Sequence, residues 1–122
     1  MTTISPWLSV SDATGALDFY RSAFGAAESD LLEEDGAVIV VHLSIDGAGF
    51  WVQHDPDASP GALNGISARM ILTVDDPDAV FARAVAAGAT VVAPIHEDHG
   101  WRVGRIADPS GHHWEIGRQL TS

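Results

Sequence analysis

VSDATGALDFYRSAFGA, residues 10–26, and VDDPDAVFARAVAAGA, residues 74–89, are two versions of one segment. Each opens on a valine followed by a carboxylate-rich pair, runs through apolar positions at helical spacing, and closes on Gly-Ala, at Gly25-Ala26 and Gly88-Ala89. In the first, Ala16, Phe19, Tyr20 and Ala23 fall at i, i+3, i+4 and i+7, which is one face of a helix. Val80, Phe81, Ala84 and Val85 make the matching stripe in the second. Asp12 and Asp76 stand where a carboxylate accepts the free N–H groups of a first helical turn, and Gly25 and Gly88 where the chain leaves through a left-handed residue. Two copies about 63 residues apart mark an internal duplication.

Working outward, a short alternating run precedes each helix: ISPWLSV (4–10) and ARMILTV (68–74). Strand-like pieces follow at 27–33, 37–45 and 50–54 in the first half, and at 90–94, 101–107 and 112–117 in the second. Asp46-Gly47 and Asp108-Pro109-Ser110-Gly111 are turn signals that make hairpins of the strands around them. Residues 95–100, IHEDHG, read as a loop. The order is βαβββ twice, an α+β domain with module one over about residues 1–54, a Pro/Gly/Ser-rich linker at 55–67 and module two over about 68–122. One such unit cannot cover both faces of its sheet. Two can, with helix-covered faces outside and concave mixed sheets enclosing a cavity between them.

Bulk properties exclude several functions. Seventeen acidic against six basic residues give a net charge of −11, a field that repels nucleic-acid phosphates and favours a cationic small molecule. With no cysteine, there is no disulfide, no thiolate nucleophile and no zinc-thiolate site. No apolar run approaches the roughly 20 residues of a membrane span. MTTISPWLSV lacks the basic start and apolar stretch of a signal peptide, so the expected location is the cytoplasm. Neither a nucleophile elbow nor a phosphate-binding glycine loop is present.

Three stretches, LDFYRSAFGAAE (17–28), VDDPDAVFARAVAAGATV (74–91) and GWRVGRIADPSGHHWEIG (100–117), together resemble the vicinal-oxygen-chelate superfamily of glyoxalase I, bleomycin-resistance, fosfomycin-resistance and extradiol dioxygenase proteins. The nearer resemblance is to its small PhnB-like, glyoxalase/bleomycin-resistance branch, and it spans nearly the whole chain. It implies the tandem βαβββ fold, a two-fold homodimer and, in metal-using members, ligands at four corresponding places. Three of these fall on Ser5, Arg69 and Glu115, and the fourth near Val52 or Gln53. A divalent ion wants three or more converging N or O donors, and a permanently charged guanidinium at residue 69 repels one. The expectation is therefore no metal and no cofactor. The alternative is a non-standard divalent site built from Glu115 with His42 or His113.

Alternation along the strands places Trp7, His42, Arg69, Thr73, His113 and Glu115 on the concave wall, with the more apolar partners turned to the helices. Trp51 and Trp101 join the ligand-binding candidates, Trp101 as a lid aromatic beside a glycine loop. Each also has a structural use. Trp7 can pack in a core or an interface, His42 can bond a neighbouring strand, and Arg69 can pair with Glu115. Trp114 reads as core, and Arg102 and Arg105 as turn-pinning residues. Two functions follow from these residues. One is a metal-independent receptor for a small cationic or aromatic molecule, of the drug-sequestering kind. The other is a glyoxalase-type lyase, isomerase or thiol transferase in which Glu115 is the catalytic base, with or without a recruited metal.

Overall fold

The computed structural model describes residues 3–58 and 69–120. Its first half holds β1 (Trp7–Val10), α1 (Ala13–Phe24), β2 (Ala27–Glu34), β3 (Ala37–Ile45) and β4 (Ala48–His54). The second holds β5 (Met70–Thr73), α2 (Pro77–Ala86), β6 (Thr90–Asp98), β7 (Trp101–Ala107) and β8 (His113–Gln119). The strands form two four-stranded mixed sheets, in orders β1-β4-β3-β2 and β5-β8-β7-β6. In both, the first strand lies parallel to the last and the others pair as antiparallel hairpins. A parallel pair cannot be closed by a tight turn, so the helix and two strands between form the crossover.

The helix ends follow the side chains named above. Asp12 Oδ1 accepts the Gly15 N–H at 3.0 Å and Asp76 Oδ1 accepts the Ala79 N–H at 3.2 Å. Pro77 opens α2, where its missing N–H costs nothing. Gly25 ends α1 with φ 67°, the left-handed exit, but α2 ends on the right-handed Ala87 and the positive φ moves one residue on, to Gly88 at 116°.

The two modules share one core. Leu8, Val10, Val41, Leu43, Phe50 and Val52 from the first sheet meet the apolar face of α1, together with Ile106, Trp114 and Ile116 from the second. Trp114 packs against Tyr20, Phe24 and Phe50 with ring centroids 4.9–5.5 Å apart. The helices were expected outside. Instead α1 lies in this shared layer, seven of its twelve residues are buried, and α1 packs on α2. The concave faces consequently point away from the core, as the exposure of Trp7 (53%) and Ile71 (65%) shows.

Three local readings change. β6 does not end at Pro94 but runs through residues 95–98, expected as a loop, with an irregular register between Ala93 and His96. In β3, Leu32 stands opposite Val40 and Glu33 opposite Val38, so Ile39 is an extra residue and Val38 turns into the core instead of to the concave side. Of the expected linker, residues 55–58 form a turn, and the remainder lies outside the described residues.

Candidate functional site

β8 alternates between two environments. Trp114 and Ile116 are in the core, so Glu115 points to the opposite face. The turn before it is closed by Asp108 N–H donating to His112 O at 2.8 Å, which sets the β7–β8 register and places Arg105 directly across from Glu115. On the other flank Ile71 of β5 is the register partner of Glu115. One row across three strands is thus Ile71, Glu115, Arg105.

Arg105 Nη2 donates to Glu115 Oε1 at 2.8 Å, and Arg69 Nε, just ahead of β5, reaches the same oxygen at 2.8 Å. The expected Arg69–Glu115 pair forms, and Arg105, expected to pin a turn, joins it. The three side chains are 46%, 32% and 21% exposed for Arg69, Arg105 and Glu115, so they border solvent without being dispersed in it. They stand at a cleft of about 500 Å³ on the outer face of the second sheet. Its walls are apolar where Ile71, Val92, Ala93 and Val103 line them, aromatic at Trp101, and polar at Thr73, Arg105 and Glu115.

His96 and Asp98 complete the cleft on the β6 side. The Nδ1 of His96 lies 2.9 Å from Pro94 O. A carbonyl only accepts, so Nδ1 carries the proton and Nε2 of the neutral ring is an acceptor. Asp98 is held by His99, Nδ1 to Oδ1 at 2.6 Å. Both cleft residues escape a reading that stops β6 at Pro94. Arg105 was reachable from the sequence, because counting outward from the 108–112 turn puts 105 opposite 115.

Trp7, His42 and Trp51 gather on the first sheet, away from this cleft. Trp7 stacks on Trp51 with centroids 6.0 Å apart, His42 meets Trp51 edge-on at 4.7 Å, and Trp7 Nε1 donates to Gln53 Oε1 at 3.0 Å. His42 Nδ1 is also 3.0 Å from Ser29 Oγ, a bond to the neighbouring strand. His113 stands across from Ala107 on β8, outside the cleft lining. Of the eight candidates, then, Thr73, Trp101 and Glu115 line the cleft, Arg69 reaches its edge, and four lie elsewhere.

A buried carboxylate fixes the frame beneath. Asp108 is only 4% exposed and accepts four bonds: Ser110 N–H (2.9 Å) and His112 N–H (3.0 Å) at Oδ1, and Tyr20 Oη (2.5 Å) and Trp114 Nε1 (2.9 Å) at Oδ2. It ties α1 of one module to the β7–β8 turn of the other. Burial first, then the Asp108 charge and hydrogen bond, push the Tyr20 hydroxyl well above its usual pKa. Sequence reading saw only a turn aspartate here.

The register also settles the fourth family position. Trp7 pairs with Trp51 as Ile71 pairs with Glu115, so the first-module counterpart of Glu115 is Trp51 rather than Val52 or Gln53. The four places hold serine, tryptophan, arginine and glutamate. That donor set does not fit a divalent ion, since indole and guanidinium supply no lone pair and the one carboxylate is shared by two cations. Among the described residues no group of three or more His, Asp or Glu side chains is placed to hold a metal, and His42 lies on the other sheet from Glu115. No helix among the described residues is long and apolar enough to cross a membrane.

Comparison with known proteins places this geometry. The model of the glyoxalase-like domain matches residues 7–117. An uncharacterized protein of Mycobacterium bovis is 42% identical over 127 residues, covering 96% of this chain and 83% of that one, and one of Mycobacterium tuberculosis matches equally over 74% of its length. Among solved structures, TioX from Micromonospora sp. ML1 superposes with a TM-score of 0.79 at 27% identity, over 98% of this chain and all of that one. The fosfomycin resistance protein FosX of Listeria monocytogenes shares the fold, with a TM-score of 0.76 at 16% identity over 98% and 94% of the two chains. The chain belongs to the family of the glyoxalase-like domain, whose model matches it over residues 7–117.

Proposed function

We propose that the protein is a metal-independent receptor for a small aromatic molecule, held in the cleft over β5, β8 and β7. The observation that carries this reading is the double arginine contact on Glu115 Oε1. The one carboxylate at a family metal position is already engaged by two cations, and a metal there would need to displace both. Apolar walls and Trp101 supply the surface that holds a flat guest, with a few polar groups to orient it. The overall charge of −11 favours a cationic guest, but two guanidinium groups on one carboxylate, Arg105 in the cleft wall and Arg69 at its edge, do not. Calorimetry against a panel of aromatic and cationic antibiotics, paired with elemental analysis of the purified protein, tests the proposal. Expected are micromolar or tighter binding of an aromatic compound and no stoichiometric Ni, Zn, Mn or Fe. A tightly held metal ion would refute it.

A second reading, a lyase or isomerase using Glu115 as base, draws support from Oε2 of Glu115, which takes no part in either arginine contact. Glu115→Gln separates the two, since it abolishes turnover in an enzyme and spares affinity for a neutral guest in a receptor. Pairing of two chains belongs to the same proposal. Trp7, 53% exposed and stacked on Trp51, leaves the outer face of the first sheet aromatic and uncovered, a surface that a second chain would bury. Light scattering showing a monomer at micromolar concentration would refute the pairing.

A further inference from the structure

Resting on the receptor reading above, we infer that the guest is a monoanion, a flat aromatic carboxylic acid oriented by Arg105 and Arg69. The argument starts from charge. Arg69, Arg105 and Glu115 meet at one oxygen, so the cluster keeps one positive charge that no other carboxylate among the described residues pairs with. Asp98 is the other carboxylate lining the cleft. It is more than half exposed and stands across from Trp101, four residues along β7 from Arg105, so solvent screens it and it does not cancel that charge beside Glu115.

Donor geometry points the same way. Arg105 has five N–H donors and spends one, from Nη2, on Glu115. No other acceptor among the described residues takes the rest of its planar fork, which presents to a second carboxylate the shape that group matches best. One uncompensated charge suits a monoanion, whereas a phosphate monoester would leave the site overcharged. The apolar strip of Ile71, Val92 and Val103 beside Trp101 takes the ring, and Nε2 of His96, an acceptor because Nδ1 serves Pro94 O, takes a ring hydroxyl or amine. This anion site sits in a molecule of net charge −11. The local guanidinium pair therefore sets selectivity, while the whole-molecule field slows the approach of every anion.

The test uses three probes of one shape and different charge: 2-naphthoate, 2-naphthamide and 2-naphthylmethylammonium, titrated into the full chain by calorimetry. Expected is naphthoate about tenfold tighter than the amide, with the cation weakest, the margin one charge-assisted hydrogen bond confers. Arg105→Gln should bring acid and amide to within about threefold by weakening the acid more than the amide, and Arg105→Lys should restore part of the preference. Equal binding of acid and amide by the wild type, or tighter binding of the cation, overturns the inference and leaves the receptor reading standing. Failure of all three to bind at millimolar concentration removes the receptor reading and the inference with it. Where Arg105→Gln lowers Tm, Arg69→Gln provides the same comparison from the more exposed arginine, and an unchanged acid-to-amide ratio in it counts against the inference.

Discussion

Asp108→Asn should be the most informative single change, because one atom of the side chain changes and four bonds depend on it. The carboxylate accepts from Ser110, His112, Tyr20 and Trp114 at 4% exposure. An amide turned with its NH2 toward Oδ1 would face two backbone N–H groups, leaving both without acceptors. Turned toward Oδ2, it can donate to Tyr20 Oη, which then switches to acceptor, and two donors, the Tyr20 O–H and Trp114 Nε1–H, lose the oxygen they shared. The second orientation wins. Its cost is two buried donors deprived of their acceptor, about 1–3 kcal/mol each, plus the loss of charge assistance on the surviving bonds, partly offset by no longer burying an ion and by the new bond to Tyr20 Oη. We expect about 2–4 kcal/mol, a large share of the 5–15 kcal/mol typical of a domain. With an unfolding entropy near 2.1 cal/mol/K per residue over 122 residues, each kcal/mol moves Tm by about 4 °C, so the drop is about 8–15 °C. Urea unfolding followed by tryptophan fluorescence, with calorimetry for Tm, reads it. A double-mutant cycle with Trp114→Phe isolates the indole donor's share: Asp108→Asn should cost about 1–3 kcal/mol less in that background. An Asp108→Asn protein within 0.5 kcal/mol of wild type would refute the whole accounting.

The Tyr20 hydroxyl extends the same network to pH. Its pKa is raised in the folded protein, so its contribution is complete below the unfolded tyrosine value of about 10 and is lost as pH climbs from there toward the higher native value. Stability should fall steeply above about pH 10, and Tyr20→Phe should flatten that limb; an unchanged alkaline slope in the variant would rule the linkage out. Gly117→Ala should cost about 1–3 kcal/mol, since a Cβ there would lie 2.7 Å from Arg102 O and 3.0 Å from Val103 Cβ, neither of which can swing aside; a neutral result by urea titration contradicts the close β7–β8 approach. Trp7→Lys should shift any dimer toward monomer in light scattering without lowering the monomer's Tm by more than about 1 kcal/mol equivalent, because the ring is half exposed in one chain.

The fold was legible because the duplication repeats its punctuation. Asp12 and Asp76 cap, the stripe of α1 faces inward, and three strands follow each helix, so local pattern and global layout agree; in α2 only Ala84 of the stripe is buried, Val80 and Phe81 pack partly and Val85 is exposed. The site was legible only where alternation survived. On β5, β7 and β8 the period of two holds without interruption, and Thr73, Trp101 and Glu115 fall on the cleft side as it requires. On β6 an irregular register between Ala93 and His96 breaks the count, and Pro94 looked like a terminator when it is an edge residue whose missing N–H no neighbour needs. On β3 the extra residue at Ile39 moved Val38 across the sheet. The arrangement of the sheets was hidden for another reason. Strand patterns say which face of a sheet is apolar, but not whether two apolar faces share one helical layer or each cover their own.

That shared layer explains why the two halves differ in chemistry despite their common pattern. Trp7 and Trp51 occupy on the first sheet the register row that Ile71 and Glu115 occupy on the second. With the helix-bearing faces turned to one core, neither outer face is obliged by packing to be polar or apolar, and each row is free to carry a different set. The first row is aromatic and flat, an indole stack with His42 against its edge. The second is charged, a carboxylate between two guanidinium groups. A guest with one apolar ring and one acidic end matches the second row alone, since Trp101 and Val103 line the same cleft as Arg105. The aromatic first row then remains for an apolar partner surface, which is why a change at Trp7 should act on assembly and a change at Arg105 on selectivity. A variant at either position that disturbed both readouts would show that the rows meet in one composite pocket across the dimer.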